Sequence, residues 1–593
     1  MFPSVVYQSL SSFAPIFPYG TVRRALAAFF ASLALFFSAG SFAQAPPNPP
    51  TLIAIDDSEF EAIHDFTGLP IDQFGWTDFG ALTASGYDDA RVVFVSNEGS
   101  DNLGKVYGIG DLTFDDKGMF QPRVQVSAFA TIAAANAQMR EGYPDILLLR
   151  RGDEWSESFT SSSAGRPKSG RSASERQIIA SYGAGDRPRL FQGSIDAYSK
   201  SYLIVTGLHI YNADWTTAGR ALDVNGFPEH QLYEDIRFDR NSKDLIQGGD
   251  IRNVAIRRCF YSHYQAHDGF VFVSKTNGML FEENVFYEPY QKNYPDGSRF
   301  GRHLYLSPTV EVGGAQDGLK NLILRRNVFF RGEREAADFR AGGLIEDNLF
   351  LQNDITMVGG RGGSIDSVQS ATIINNVFMQ GPPNINSSNI LHLINMDGTI
   401  VKGNIWTDPR GISAANVITI TGVSNTYILR NTSILENVVY NYVESPGGVA
   451  RAVSLSNDFT EVRNVSIQDN EFQFGTGSAE IIMHRDWTGG AGDRFSGFSY
   501  RGNKYYSGDT SDIFMPGDNF AGWQSASGET EAEFTRISYP DPQRTIDSYL
   551  SGLGLSGGAE EFAAQALSMS RSNWNPSFTA GAVNDYIRAG FGR

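Results

Sequence analysis

A six-residue frame built around asparagine recurs along the middle of this chain and limits its possible folds more than any other feature. The frame reads apolar-x-x-Asn-x-apolar, the last position usually aromatic. Its copies run Phe281-Asn284-Phe286, Leu324-Asn327-Phe329, Ile345-Asn348-Phe350, Ile373-Asn376-Phe378, Val401-Asn404-Trp406, Ile434-Asn437-Val439, Ile467-Asn470-Phe472 and Tyr500-Asn503-Tyr505. Successive asparagines are 43, 21, 28, 28, 33, 33 and 33 residues apart. Asn431 is a looser competitor for the place of Asn437, and upstream Cys259 and Asp235 fit the frame with the asparagine replaced. Periods of roughly 20 to 50 residues mark solenoids, propellers or arrays.

The repeated unit alternates apolar and polar positions, is rich in β-branched and aromatic residues, and lacks long helical windows, so it reads as short strands. A second strand precedes most of the asparagines, as at 269–273, 303–307, 338–341, 354–357 and 390–393. An asparagine at one fixed place per unit tolerates the left-handed conformation of a tight turn. Its amide can also bond the same residue one coil above and below.

These features resemble the right-handed parallel β-helix superfamily of pectate lyases, alginate lyases and related carbohydrate-active proteins, over roughly residues 90–510. The entry segment fits as well, with a strand at 93–96, an amphipathic helix near 129–135 able to cap the open solenoid end, and a first coil at 146–153. The expected class is all-β: a right-handed parallel β-helix with an N-terminal capping helix and a short helical C-terminal segment. The expected divisions are a signal peptide at 1–45, an extension at 46–90, the β-helix at 91–515 and a partly helical capping segment at 516–593. Helical spacing in the last part recurs around Ile546, Phe562 and Ile587.

Composition narrows the function. The 593 residues carry a net charge of −18, which argues against a nucleic-acid partner because a phosphate backbone would be repelled. The single cysteine, Cys259, excludes an intramolecular disulfide and every multi-cysteine zinc site. Arg23 and Arg24 precede an apolar run at 25–39 that ends near the small-residue site Ala43-Gln44-Ala45, the parts of a secretory signal peptide. The run is too short to span a bilayer comfortably. The chain is therefore expected to be secreted or periplasmic, without a membrane span; its oligomeric state is left open.

The strand alternation also locates a candidate site. Setting Phe270, Leu304, Phe339, Ile355 and Leu391 inward places Val271, Tyr305, Arg340, Thr356 and His392 in one outward column, with His303, Asp338 and Asp354 in the next. The insertions 288–302, 310–320 and 359–368 would wall a groove suited to a linear polymer. Between Arg299 and Arg361, ten Lys, Arg or His residues stand against eight acids, a local balance that suits an anionic substrate.

Elimination at a uronate needs a cation on the carboxylate, a base for the acidic carbon and a donor for the leaving oxygen. His303, Tyr305 and Arg340 supply such a set, joined by Lys275 and Arg302. Lys275 followed by Arg302-His303 resembles chondroitinase B-type and alginate lyases, a likeness that implies catalysis by these residues and implies calcium. Of the acids that would hold calcium before the lysine, only Asp268 is present, so no metal ligand is assigned. Arg302, Arg299, Arg361, His392, His267 and Asp268 are expected to bind substrate.

The leading reading is a polysaccharide lyase acting on an acidic polysaccharide. His267-Asp268 is similar to part of the mannuronan epimerase motif, which keeps an epimerase open. Asp338 and Asp354, if adjacent, could serve a glycoside hydrolase. A non-catalytic glycan-binding β-helix is the remaining alternative.

Overall fold

The computed structural model describes residues 67–212, 220–240, 246–249, 251–262, 271–274, 276–287, 302–306, 320–331, 335–339, 342–353, 355–358, 368–380, 389–408, 416–422, 427–441, 451–456, 459–475, 480–485, 494–509, 513–517 and 519–593. The expected signal peptide lies outside them. Among the described residues the strands form three sheets of 18, 14 and 12 strands, here called sheets I, II and III. Nearly every pairing is parallel and joins a strand to its equivalent in the next coil, as in Arg252–Arg257 with Asn277–Glu282 (sheet I), Phe260–Ser262 with Val285–Tyr287 (sheet II) and Arg302–Leu306 with Glu335–Phe339 (sheet III). This is a parallel β-helix.

The asparagines hold the coils in register. From Asn284 through Asn327, Asn348, Asn376, Asn404, Asn437 and Asn470 to Asn503, each donates its backbone N–H to the side-chain oxygen of the next at 2.9–3.0 Å. Each Nδ2 donates to that same oxygen at 2.9–3.0 Å. The second Nδ2 hydrogen meets a carbonyl, such as Ile256 O for Asn284 and Ile345 O for Asn376. All eight side chains are fully buried, so each polar group must be satisfied within the row. The Cys259 N–H donates into Asn284 at one end. At the other, Asn503 donates to the buried carboxylate of Glu529, which also accepts from Tyr505 and Trp523.

Three details of the repeat differ from expectation. The left-handed residue is the one before each asparagine: Glu283, Arg326, Asp347, Asn375, Gly403, Glu436, Asp469 and Gly502 have φ between 52° and 64°. That residue turns the corner between sheets I and II and leaves the asparagine free to point inward. Upstream, Tyr233 pairs with Ile256, so Ile236 rather than Asp235 shares the position of Cys259, and Asp235 takes the left-handed corner. Asn431 sits in a separate exposed row, donating to Asp397 and accepting from Asn464, while Asn437 holds the ladder.

Beside the ladder runs an aromatic stack, Phe238, Tyr261, Phe286, Phe329, Phe350, Phe378 and Trp406, with ring centroids 4.5–5.0 Å apart. A short helix, Ile132–Asn136, capped by Thr131, packs Ile132 and Ala135 into this interior core. The helix Phe520–Ser527 adds fully buried Trp523 to the same core near the C-terminal coils.

Among the described residues, apolar segments cover the outer faces of sheets I and II. Leu69, Phe79, Leu82 and Phe120 cover an apolar row of sheet I running from Ile178 to Leu344. Helices Ile546–Gly552, Gly558–Ser568 and Ala580–Gly590 cover a row of sheet II that includes Phe260, Val285, Val328, Leu349, Val377 and Ile405. The C-terminal segment thus packs along the flank of the solenoid, and reaches back to Asp235 and Thr77 through Arg571.

Candidate functional site on sheet III

Sheet III is the face that no described segment covers with an apolar cluster. It is also where the coils vary in length. Sheets I and II are joined by two residues, Glu283-Asn284 or Arg326-Asn327, in coil after coil. The connections flanking sheet III are long, spanning residues 288–301 before Arg302–Leu306 and 307–319 after it. A fixed corner and variable borders make sheet III the floor on which specificity can be built.

Pairing places Phe272, Tyr305 and Asp338 at one register position on successive strands. Leu304 and Leu306 are fully buried in the interior core, while Tyr305 between them is partly exposed. Arg302 opens the same strand, opposite Glu335. Farther along, His392, Thr419, Ser454 and Met483 share one register position, the last three of them buried. The His392 ring nitrogen Nε2 lies 2.7 Å from the Thr421 hydroxyl, and burial pushes its pKa down to about 4.

Several placements expected from the sequence are corrected here. Phe272, not Val271, stands opposite Tyr305, a one-residue slip that exchanges the faces of that strand. Asp338, not Arg340, stands opposite Tyr305 on the other side, because Leu306 rather than Leu304 aligns with Phe339. Asp338 in turn faces Met357, while Ile355 faces Ala337; the register shift between them leaves Thr356 as the extra residue. The expected Asp338–Asp354 column is therefore not the pairing observed at Asp338, and Asp354 itself lies outside the described residues.

His303 was expected to face outward and is instead fully buried. Its ring lies between Phe286 and Phe329, with centroids 6.0 and 5.9 Å away, and its Nε2 is 3.2 Å from the Asn353 amide nitrogen. Burial pushes its pKa down to about 3, so it is a neutral interior residue at the corner of the coil. Lys275, Arg340, Arg299, Arg361, His267 and Asp268 lie outside the described residues.

The cationic island is partly neutralised. Arg325 and Arg326 pair with Glu282, and Arg331 pairs with Glu560 of a C-terminal helix. Arg325 belongs to sheet I, in a row of alternating charge formed by Glu234, Arg257, Glu282, Arg325 and Glu346 on successive strands. Among the described residues no group of three or more His, Cys, Asp or Glu side chains converges as a metal site. Asp268, beside which the resemblance would place calcium, lies outside the described residues. No helix among the described residues is long and apolar enough to cross a membrane.

The sequence reading missed Glu529, which closes the asparagine ladder. A signal existed: the last asparagine, Asn503, needs a buried acceptor from the segment that follows it.

No known protein-family profile matches the chain, and no curated protein does. Solved structures similar to it include a mannuronic acid specific polysaccharide family 6 lyase from human gut microbiota, with TM-score 0.45 and 14% identity over 77% of this chain and 97% of that one. A PL6 family alginate lyase, AlyGC, has TM-score 0.44 and 13% identity over 70% of this chain and 53% of that one. A rhamnogalacturonan lyase has TM-score 0.36 and 12% identity, over 70% and 87%. With TM-scores of 0.45 or lower, the assignment of activity rests on this chain's own residues.

Proposed function

We propose that this protein is an exported polysaccharide lyase that cleaves a uronate-containing polysaccharide by β-elimination along sheet III. The observation that carries the reading is the partly exposed Tyr305 on sheet III, whose connections are long and whose outer face no apolar cluster of the described residues covers. In the reaction, the proton on the carbon beside the uronate carboxylate passes to a base, a carbon–carbon double bond forms, and the glycosidic C–O bond breaks. The departing oxygen takes a proton. Tyr305 is the group assigned to proton transfer. Arg302 at the start of its strand, Lys275 just after Ser274, and Arg340 just after Phe339 are assigned to the carboxylate, whose charge must be met as the carbanion develops. His303 has no outward role in this scheme. Export follows from the signal-like segment Arg23–Ala45.

The test is incubation with polymers of mannuronate, guluronate, galacturonate and glucuronate, following the absorbance of unsaturated uronates. Absorbance growth with one polymer, abolished by Tyr305→Phe in a folded variant, supports the reading. New reducing ends without that absorbance would establish hydrolysis instead.

A further inference from the structure

The outer face of sheet II changes character along its length. One register position carries Val438, Ile405, Val377, Leu349, Val328, Val285 and Phe260 on successive strands, the apolar floor on which the C-terminal helices lie. The same position continues as Arg237, His209 and Arg189. At this change helix Gly558–Ser568 ends, and a cleft of about 550 Å³ opens between the strands and the turn that follows the helix. Arg151 and Arg187 also line it, and exposed Ser572 and Asn573 form part of its rim.

Four arginines line the cleft, Arg151, Arg187, Arg189 and Arg237, against three carboxylates, Asp153, Glu154 and Asp186. Arg189 pairs with Glu154 and Arg187 with Asp235, but Arg237 is 3.9 Å from Asp239. Arg151 donates to Gly185 O at 2.8 Å and to the Ser181 hydroxyl at 3.2 Å, and meets no carboxylate. The buried Nε atoms of Arg187 and Arg237 and the Nε2 of His209 have no acceptor in the protein. Burial, reinforced by Arg237, pushes the His209 pKa down to about 3, so the ring adds no charge of its own. Guanidinium groups with spare donors recognise planar and tetrahedral oxyanions. The volume is that of a small-molecule site, and its hydroxyl and amide rim suits a ligand rich in hydroxyls.

We propose that this cleft binds a small acidic saccharide, its carboxylate or sulfate held by Arg151 and Arg237 and its hydroxyls met by Ser572 and Asn573. The site is separate from sheet III and stands whether or not that sheet performs elimination.

The test is titration calorimetry of the full chain with glucuronate, glucose 6-sulfate, glucose and inorganic phosphate. Glucuronate or the sulfated sugar should bind at least ten-fold more tightly than glucose. Arg151→Met and Arg237→Met should each weaken binding ten-fold or more, with Arg237→Lys intermediate, while Tyr305→Phe leaves it unchanged. Loss in the arginine variants counts only where the melting temperature is preserved; if neither methionine variant folds, Arg237→Lys and a glucuronate-induced shift of the His209 ring nitrogens decide. Equal binding of glucose, binding of phosphate without either acidic sugar, binding indifferent to the arginines, or no binding overturns the proposal.

Discussion

Tyr305 stands directly opposite Asp338 across neighbouring strands of sheet III, one coil apart in space and 33 positions apart in the chain. Strands so paired lie about 4.8 Å apart. Replacing Tyr305 by Phe removes one hydroxyl from a partly exposed position and leaves the buried Leu304 and Leu306 untouched. Loss of one hydroxyl should cost at most about 1.5 kcal/mol of stability, while turnover falls by roughly 10²-fold or more, the range typical of a lost proton-transfer group. Steady-state kinetics beside a thermal melt checks both halves.

The asparagine ladder predicts a stability effect far from any site. Asn376→Ala leaves the Asn348 N–H and Nδ2 without their acceptor inside a sealed core. Each orphaned group costs about 1–3 kcal/mol, so a loss of at least about 2 kcal/mol is expected by chemical denaturation. Asn431→Gly, in the exposed row and at a left-handed φ of 46° that glycine adopts freely, should cost less than about 1 kcal/mol.

The repeat made much of this fold legible from sequence, since the asparagine spacing marks one corner of each coil from Asn284 to Asn503 and the apolar residue two positions later marks the interior. The strands of sheet III were harder to place. Their borders vary in length, so alternation alone allowed the slip at Val271–Phe272 and the two-residue shift that set Arg340, rather than Asp338, beside Tyr305. His303 was misplaced for a different reason. Strand parity puts it outward with Tyr305, but it lies where the chain turns from sheet II, and its ring packs between Phe286 and Phe329. Helical spacing around Ile546, Phe562 and Ile587 marks the helices that clad sheet II, but nothing local in it says which face they cover.

Buried histidines, His209 among them at about 3, make the fold less stable in acid. Burial holds His303 at about 3 and His392 at about 4, against roughly 6.5 in an unfolded chain. Between those values the unfolded state binds more protons than the folded one, so stability falls as pH drops from about 6.5 toward 4. His303→Gln should flatten the melting-temperature profile over that interval, whatever it does to the plateau above it.

Glu346 acts in the opposite sense. Burial, with Asp347 next, raises its pKa to about 7 from an ordinary carboxylate value. The folded state then binds more protons from about 4.5 to 7, and stability declines as pH rises through that window. Glu346→Gln should raise the melting temperature at pH 8 and have little effect at pH 4.

The claim that this chain performs elimination is tested most directly by stoichiometry. When a uronate polymer is degraded by the full-length protein, β-elimination predicts one carbon–carbon double bond, read by ultraviolet absorbance, for each new reducing end. A ratio near one is the expected result. New reducing ends with no double bonds would contradict it.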